Sequence, residues 1–223
     1  TRCYRPALDH LISTVDSARE HGYGFRILFG LSGPFLEQAA MYHEDILDSV
    51  RELISSGYAD IAGEPYFHSL ASLYSDGFRE FKSEVDYHRK TLETNFSVKP
   101  AVFKNTGMIY NSHIASVVKE LGFQALLTEG AQGLLYGWRS PDYIYRDSVS
   151  GLPVFLRNWG LTSEIISHLS SASQGDTGVH ERLLGWISSL NGDVCNIYID
   201  FEVFGERYSF DSAVIDLIGD LLI

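Results

Sequence analysis

Six short, nearly continuous apolar runs, separated by longer stretches of helical periodicity, constrain this chain more than any other feature. The runs are "FRILFGL" (25–31), "ADIAGEP" (59–65), "AVFKNT" (101–106), "ALLTEG" (125–130), "PVFLRN" (153–158) and "NIYIDFE" (196–202). Runs of this kind read as parallel strands buried on both faces. Parallel neighbours need a long crossover, and the spacing between the runs leaves room for one helix and two loops each time. The intervening stretches supply the helices. Apolar residues recur three and four apart at Leu8, Leu11, Ile12, Val15 and Ala18, and again from Phe35 to Ile54 with Gly57 as a stop. Further helices are predicted from Phe78 to Phe96, through Ile114, Val117, Val118 and Leu121, through Leu183, Leu184, Ile187 and Leu190, and in the terminal "AVIDLIGDLLI". The pattern is βα repeated, an α/β chain.

Such units build either a doubly wound sheet or a barrel. Polar residues fall at the C-terminal ends of five strands: Glu64, Asn105, Glu129, Asn158, and Asp200 with Glu202. A rim of this kind, drawn from several strand ends, is how a (β/α) barrel assembles a site. A dinucleotide-binding sheet would carry G-x-G-x-x-G after its first strand, and "LFGLSGPF" offers only Gly30 and Gly33. The Ser- and Gly-rich "SSASQGDTG" (170–178) falls inside a βα unit and reads as a loop. One barrel domain over residues 1–223 is expected.

Charge and composition narrow the partners. Seventeen Lys and Arg stand against 29 Asp and Glu, a formal charge of −12, and the acidic residues are scattered. Without a positive face, nucleic acid is not expected as a partner. No apolar run reaches the roughly 18 residues of a membrane span and no charged-then-apolar leader opens the chain, so no membrane partner is expected and the location reads as cytoplasmic. The chain opens on Thr1 and ends within a helical pattern, as a piece truncated at both ends would. Cys3 and Cys195 fit no metal or redox spacing.

Four strings can carry chemistry. In "NIYIDFEVFGERY" (196–208), Asp200 and Glu202 share one side of a predicted strand. Two converging buried carboxylates suit acid-base or nucleophilic work, or else form an ion pair with Arg207 or Arg157. "GEPYFHSLASLY" (63–74) places Glu64 at a strand end with His68 four residues on. A metal site would need more ligands, and position 72, where a second His would stand, is Ser, so neither metal nor cofactor is expected. "VFKNTGMIYNSHIA" (102–115) reads as a strand, a polar turn and a helix capped by Asn111 or Ser112. "GWRSPDYIY" (137–145) sets Trp138, Tyr143 and Tyr145 beside Arg139, either a sugar-stacking loop or a packed surface loop.

Taken together, "CYRPALDHL", "LSGPFLEQ", "GEPYFHSLASLY", "VFKNTGMIYNS", "TEGAQGLLYGWRSPDYIY", "LRNWGLTSEI" and "YIDFEVFGER" resemble glycoside hydrolase family 57, and within it the α-amylase branch. The resemblance implies an incomplete (β/α)7 barrel, TIM-like, that acts on α-1,4-linked glucans with retention. Its first strand, which carries His-Gln-Pro in the family, would precede Thr1. Asp200 matches the family's general acid/base. The catalytic Glu that follows Asn-Thr in the family is Gly107 here, after Asn105 and Thr106. Ser163-Glu164 stand for a paired Asp, Arg207 for a His, and Lys104 for an Arg. The resemblance therefore implies a barrel that binds α-glucan or maltooligosaccharide through Glu64, His68, Glu129, Trp138, Arg139, Tyr143 and Glu202, with little or no glycosidase activity. The alternatives are an active α-amylase or 4-α-glucanotransferase that recruits Glu64 or Glu129, and a polysaccharide deacetylase, whose Asp-His-His set the Ser at position 72 disfavours.

Overall fold

The computed structural model describes residues 3–22, 25–171 and 178–207. Its elements alternate as the apolar pattern requires: α1 (Tyr4–His21), β1 (Ile27–Phe29), α2 (Gly33–Tyr42), α3 (Glu44–Ser55), β2 (Ala59–Ile61), α4 (Arg79–Phe96), β3 (Val102–Lys104), α5 (Ser112–Glu120), β4 (Ala125–Glu129), β5 (Tyr145–Arg146), β6 (Pro153–Arg157), α6 (Trp159–Ser171) and α7 (Gly178–Ser188).

The parallel strands lie side by side in chain order. β1 pairs β2, and β3, β4 and β6 pair in sequence. The two sheets are stitched where Gly63 bridges Phe103: the Gly63 N–H donates to Val102 O and the Lys104 N–H to Gly63 O, both at 2.9 Å. Beyond β6, Asn196 bridges Arg157 in the same direction. The short β5 runs antiparallel along β6.

Each helix buries one stripe. On α3, Leu47, Val50 and Leu53 are 1–2% exposed and join Phe29 and Ile61 in the first of three apolar clusters; each such side chain contributes about 1.5–3 kcal/mol of transfer free energy. A second cluster gathers α5 against β3, β4 and β6, with Phe103 and Leu126 at its centre. The third packs Leu161, Ile165 and Leu183 under Val203 and Phe204. No helix among the described residues is long and apolar enough to cross a membrane.

Three elements differ from the sequence reading. The helix expected from Phe35 to Ile54 is two helices, broken at His43 (φ −151°, ψ 57°). The apolar stripe continues in phase across the break, from Leu36 and Ala39 to Ile46 and Leu47, so periodicity conceals it. Glu44 and Asp45 sit in the first turn of α3, where the helix dipole favours anions. A helix over Trp159–Ser171, anchored by Leu161 and Ile165, was not expected from the sequence. The run "NIYIDFE" is not a regular strand: only Asn196 pairs, and Phe201–Val203 closes into a 3₁₀ turn. The terminal helical pattern lies outside the described residues, as does most of "SSASQGDTG". By contrast, α4 and α5 stand where predicted, and the Asn111 carboxamide caps α5 by accepting from the Ile114 N–H at 2.9 Å.

Candidate active site

A cavity of about 740 Å³ opens between β1 with its following loop, the helices α1 and α3, and the segment 195–204. Most of its wall is apolar, from Leu28, Phe35, Ile165 and Ile199, and its polar lining includes Glu64, His68, Lys104, Tyr198, Asp200, Glu202 and Arg207. Four of these are candidates named from the sequence: Glu64, His68, Asp200 and Glu202. Lys104 and Arg207, noted there only as departures from the resembled pattern or as an ion-pair partner, and Tyr198, which was not singled out, join them.

Glu64 is 1% exposed at the end of β2, and its Oε2 lies 3.0 Å from Lys104 Nζ and 3.5 Å from His68 Nδ1. Burial alone pushes the Glu64 carboxyl up, but His68 and the Lys104 ammonium outweigh it and hold the group below the usual carboxylate range. Burial likewise opposes charge on Lys104, and Glu64 followed by Tyr198 overcomes it, so the Lys104 pKa is raised. Lys104 Nζ also donates to the Tyr198 hydroxyl at 2.9 Å and sits over the Tyr198 ring. The pair ties the segment that carries Asp200 to the end of β3. A lysine in an otherwise apolar strand run was the signal for this contact, since a buried ammonium requires a carboxylate within reach.

The same strand ends are pinned from behind by His88 on α4, which is fully buried. Its Nδ1 accepts from the Glu64 N–H at 3.2 Å, which leaves Nε2 to donate to Leu31 O at 2.8 Å. Burial is the largest influence on this imidazole and lowers its pKa, keeping it neutral.

Asp200 faces solvent at the mouth of the cavity with its side chain 52% exposed, and Arg207 Nη2 lies 3.4 Å from Oδ2. This is one of the two ion pairs weighed from sequence. The other arginine, Arg157, forks onto Glu129 instead, with Nε to Oε1 at 3.1 Å and Nη2 to Oε2 at 2.6 Å. Glu202 Oε1 accepts from Tyr4 Oη at 3.4 Å, and burial followed by this carboxylate pushes the Tyr4 phenol up to about 12. Tyr4 also stacks on Phe201 at 5.6 Å, fixing α1 against the acidic turn.

Gly107 lies in a left-handed turn just after β3 (φ 57°, ψ 19°), followed by Met108 with φ 54°. The Asn105 side chain holds this turn: Oδ1 accepts from the Thr106 N–H, and Nδ2 donates to Ser72 Oγ and Ile109 O. A Cβ at Gly107 would meet only Ile109, at 3.8 Å. Neither Gly107 nor Glu129 contributes to the cavity wall, and neither do Trp138, Arg139 and Tyr143. These last three lie on the loop after β4, largely exposed, with the Arg139 guanidinium 4.5 Å from the Trp138 ring. Asp142 anchors the loop: it accepts from Ser140 Oγ and Asn158 Nδ2, and its carbonyl accepts from the Asp193 and Val194 N–H groups. It was missed in the sequence because an Asp after Ser-Pro reads as ordinary turn chemistry.

Chemically, the lining offers two carboxylates, Asp200 paired with Arg207 and Glu202 held by Tyr4, beside a buried ion pair whose carboxylate is committed to its cation.

The sequence model of glycosyl hydrolase family 57 matches residues 1–214. A Methanocaldococcus jannaschii protein named "Putative alpha-amylase" is 34% identical over 218 residues, which are 97% of this chain and 45% of that protein. The chain thus spans under half the length of that relative. Among solved structures, the 4-alpha-glucanotransferase of Thermococcus litoralis superposes with a TM-score of 0.75 at 16% identity, covering 99% of this chain and 33% of that one. A family 57-type branching enzyme from Pyrococcus horikoshii gives 0.73 at 14% identity, over 99% and 60%.

Proposed function

Because this chain belongs to glycosyl hydrolase family 57, we propose that it is an α-glucan-binding member of that family with little or no glycosidase activity. The relatives named for α-glucan chemistry support the substrate class: an α-amylase, a glucanotransferase and a branching enzyme. In this reading the whole chain is one domain, an incomplete (β/α)7 barrel. The parallel strands in chain order support it, and its open side is the cavity between β1 and the 195–204 segment. An α-1,4-linked glucan or maltooligosaccharide enters at the strand ends. Asp200 stands at the mouth as general acid/base, with Glu64, His68 and Glu202 around the bound sugar.

One observation carries the loss of activity. A retaining glycosidase places two carboxyls about 5–5.5 Å apart, one to protonate the leaving oxygen and one to form the glycosyl-enzyme. Position 107 supplies none, and the carboxylates at the ends of the two adjacent strands are each engaged by a cation, Glu64 by Lys104 and Glu129 by Arg157. A carboxylate held by an ammonium or guanidinium is a weakened nucleophile.

The test is paired. Calorimetric titration with maltoheptaose is expected to show binding in the millimolar range or tighter, while soluble starch incubated with the same sample releases no reducing ends above the blank. Absence of any heat would overturn the substrate class. Ordinary turnover that Asp200→Asn leaves intact would overturn both the inactivity and the role of Asp200.

A further inference from the structure

Asparagine occurs six times in the chain, and only Asn191 is followed by glycine. The carboxamides of the other five, Asn95, Asn105, Asn111, Asn158 and Asn196, are all hydrogen-bonded, to Thr91, Ser72, Ile114, Asp142 and Leu156 in turn. Asn191 and Gly192 lie after α7, outside any regular element, and both are exposed. Among the described residues the Asn191 carboxamide and the Gly192 N–H make no hydrogen bond. The chain is fastened on either side of them: the Leu190 N–H donates to Ile187 O at 3.1 Å, and the Asp193 and Val194 N–H groups donate to Asp142 O at 2.8 and 3.0 Å.

An unbonded asparagine carboxamide can be attacked by the next backbone nitrogen, and glycine, without a Cβ, lets that nitrogen approach. The Gly192 nitrogen gives up its proton and attacks Asn191 Cγ. The new N–Cγ bond closes a five-membered succinimide as the Cγ–Nδ2 bond breaks and Nδ2 leaves, with a proton, as ammonia. Water then opens the ring. Cleavage of the N–Cγ bond leaves aspartate; cleavage between the nitrogen and the main-chain carbonyl carbon leaves isoaspartate, whose backbone runs through Cγ and is one atom longer. We propose that Asn191-Gly192 is a self-modification site that converts to isoaspartate, and that the conversion releases the anchor at Asp142. Gly192 sits so close to Asp142 that even a Cβ would lie 2.3 Å from its carbonyl oxygen. A main-chain atom added directly before Gly192 displaces the turn whose N–H groups hold Asp142 and whose Asp193 Oδ2 accepts from the Ile144 N–H at 3.4 Å. Asp142 in turn receives the Asn158 carboxamide, and the chain from Cys195 onward lines the cavity. The reaction needs only water and no sugar, so it holds whatever the cavity binds.

The full chain, incubated at neutral and at mildly alkaline pH, tests it. Peptide mass spectrometry should find the amide-to-acid mass gain at position 191, faster in alkali because the attacking nitrogen must lose its proton. An isoaspartyl methyltransferase with a tritiated methyl donor should label the same peptide. Asn191→Gln, whose longer side chain would have to close a six-membered ring, should take up at least tenfold less label. In limited proteolysis the labelled chain should be cut in the 137–145 loop faster than the fresh chain, whereas freshly purified Asn191→Asp, which adds the charge without lengthening the backbone, should be cut like the fresh chain. No mass gain at 191, or equal label in Asn191→Gln, would overturn the site. A mass gain without methyl label would overturn isoaspartate as the product. A labelled chain cut no faster than the fresh one, or Asn191→Asp cut as fast as the labelled chain, would overturn the release of Asp142.

Discussion

In the function proposed above, replacing Gly107 by glutamate supplies the missing nucleophile, and the local backbone sets what that costs. Gly107 occupies the left-handed region at φ 57° and ψ 19°, which an L side chain enters at about 1–2 kcal/mol. Contact adds little, since the new Cβ would meet only Ile109 at 3.8 Å, an ordinary van der Waals distance. The Asn105 side chain fastens the turn on both sides, so the backbone has little freedom to relax away the strain. For a chain of 223 residues, at about 2–4 °C per kcal/mol, Gly107→Glu should melt about 2–8 °C below the unaltered protein. Gly107→Ala should fall by a similar amount, because the strain belongs to the backbone and not to the charge. The two variants separate in activity. Gly107→Glu should release reducing ends from maltoheptaose where Gly107→Ala releases none, and Gly107→Glu with Asp200→Asn should again release none. The gain should be partial, because in the proposed reading Lys104, Ser163 and Arg207 also differ from the resembled pattern and a carboxylate without its supporting shell is poorly oriented. Azide supplied with an activated glycosyl fluoride should raise turnover in the unaltered chain, with Asp200 as acid. Two results refute the reasoning: an unchanged or raised melting temperature in both variants contradicts the backbone argument, and hydrolysis by Gly107→Ala equal to that of Gly107→Glu contradicts the nucleophile argument.

Lys104→Met strips the cation from a carboxylate that is 1% exposed and should cost about 3–5 kcal/mol by urea unfolding; Lys104→Met with Glu64→Gln should recover most of that. His88 is held neutral by burial, so its folded pKa lies below the ordinary value of about 6.5. Below that pH the unfolded chain takes up a proton the folded chain resists; stability is therefore full above about pH 6.5 and falls with acid, and urea midpoints between pH 7.5 and 5.5 should decline less in His88→Phe than in the unaltered chain. Glu84, buried on α4, accepts from the Phe67 N–H at 3.0 Å and from Ser69 Oγ at 2.6 Å. Glu84→Ala should cost about 1–3 kcal/mol by leaving that N–H unpaired, and should make the 66–70 loop the first site cut in limited proteolysis.

The sequence by itself determined the α/β alternation, because a strand buried on both faces must be apolar throughout and a helix must repeat its apolar stripe every three to four residues. Both marks survive in a linear reading, and five of the six expected strands stand where they were read. Of the polar residues read at the strand ends, Glu64, Asp200 and Glu202 line one cavity, whereas Asn105, Glu129 and Asn158 do not. Tertiary structure alone decided which side chains touch. The break at His43 leaves no mark because the apolar stripe is in phase on both sides of it. The run around Asp200 has strand composition, yet it pairs only at Asn196, since an extended run becomes a ladder only where a neighbour's backbone edge lies within hydrogen-bond reach. Which arginine would answer which carboxylate was open in the sequence, and packing gave Arg207 to Asp200 and Arg157 to Glu129. The contact of Lys104 with Glu64 and Tyr198 joins residues 40 and 94 positions apart, and only the juxtaposition of strand ends brings them within 3 Å.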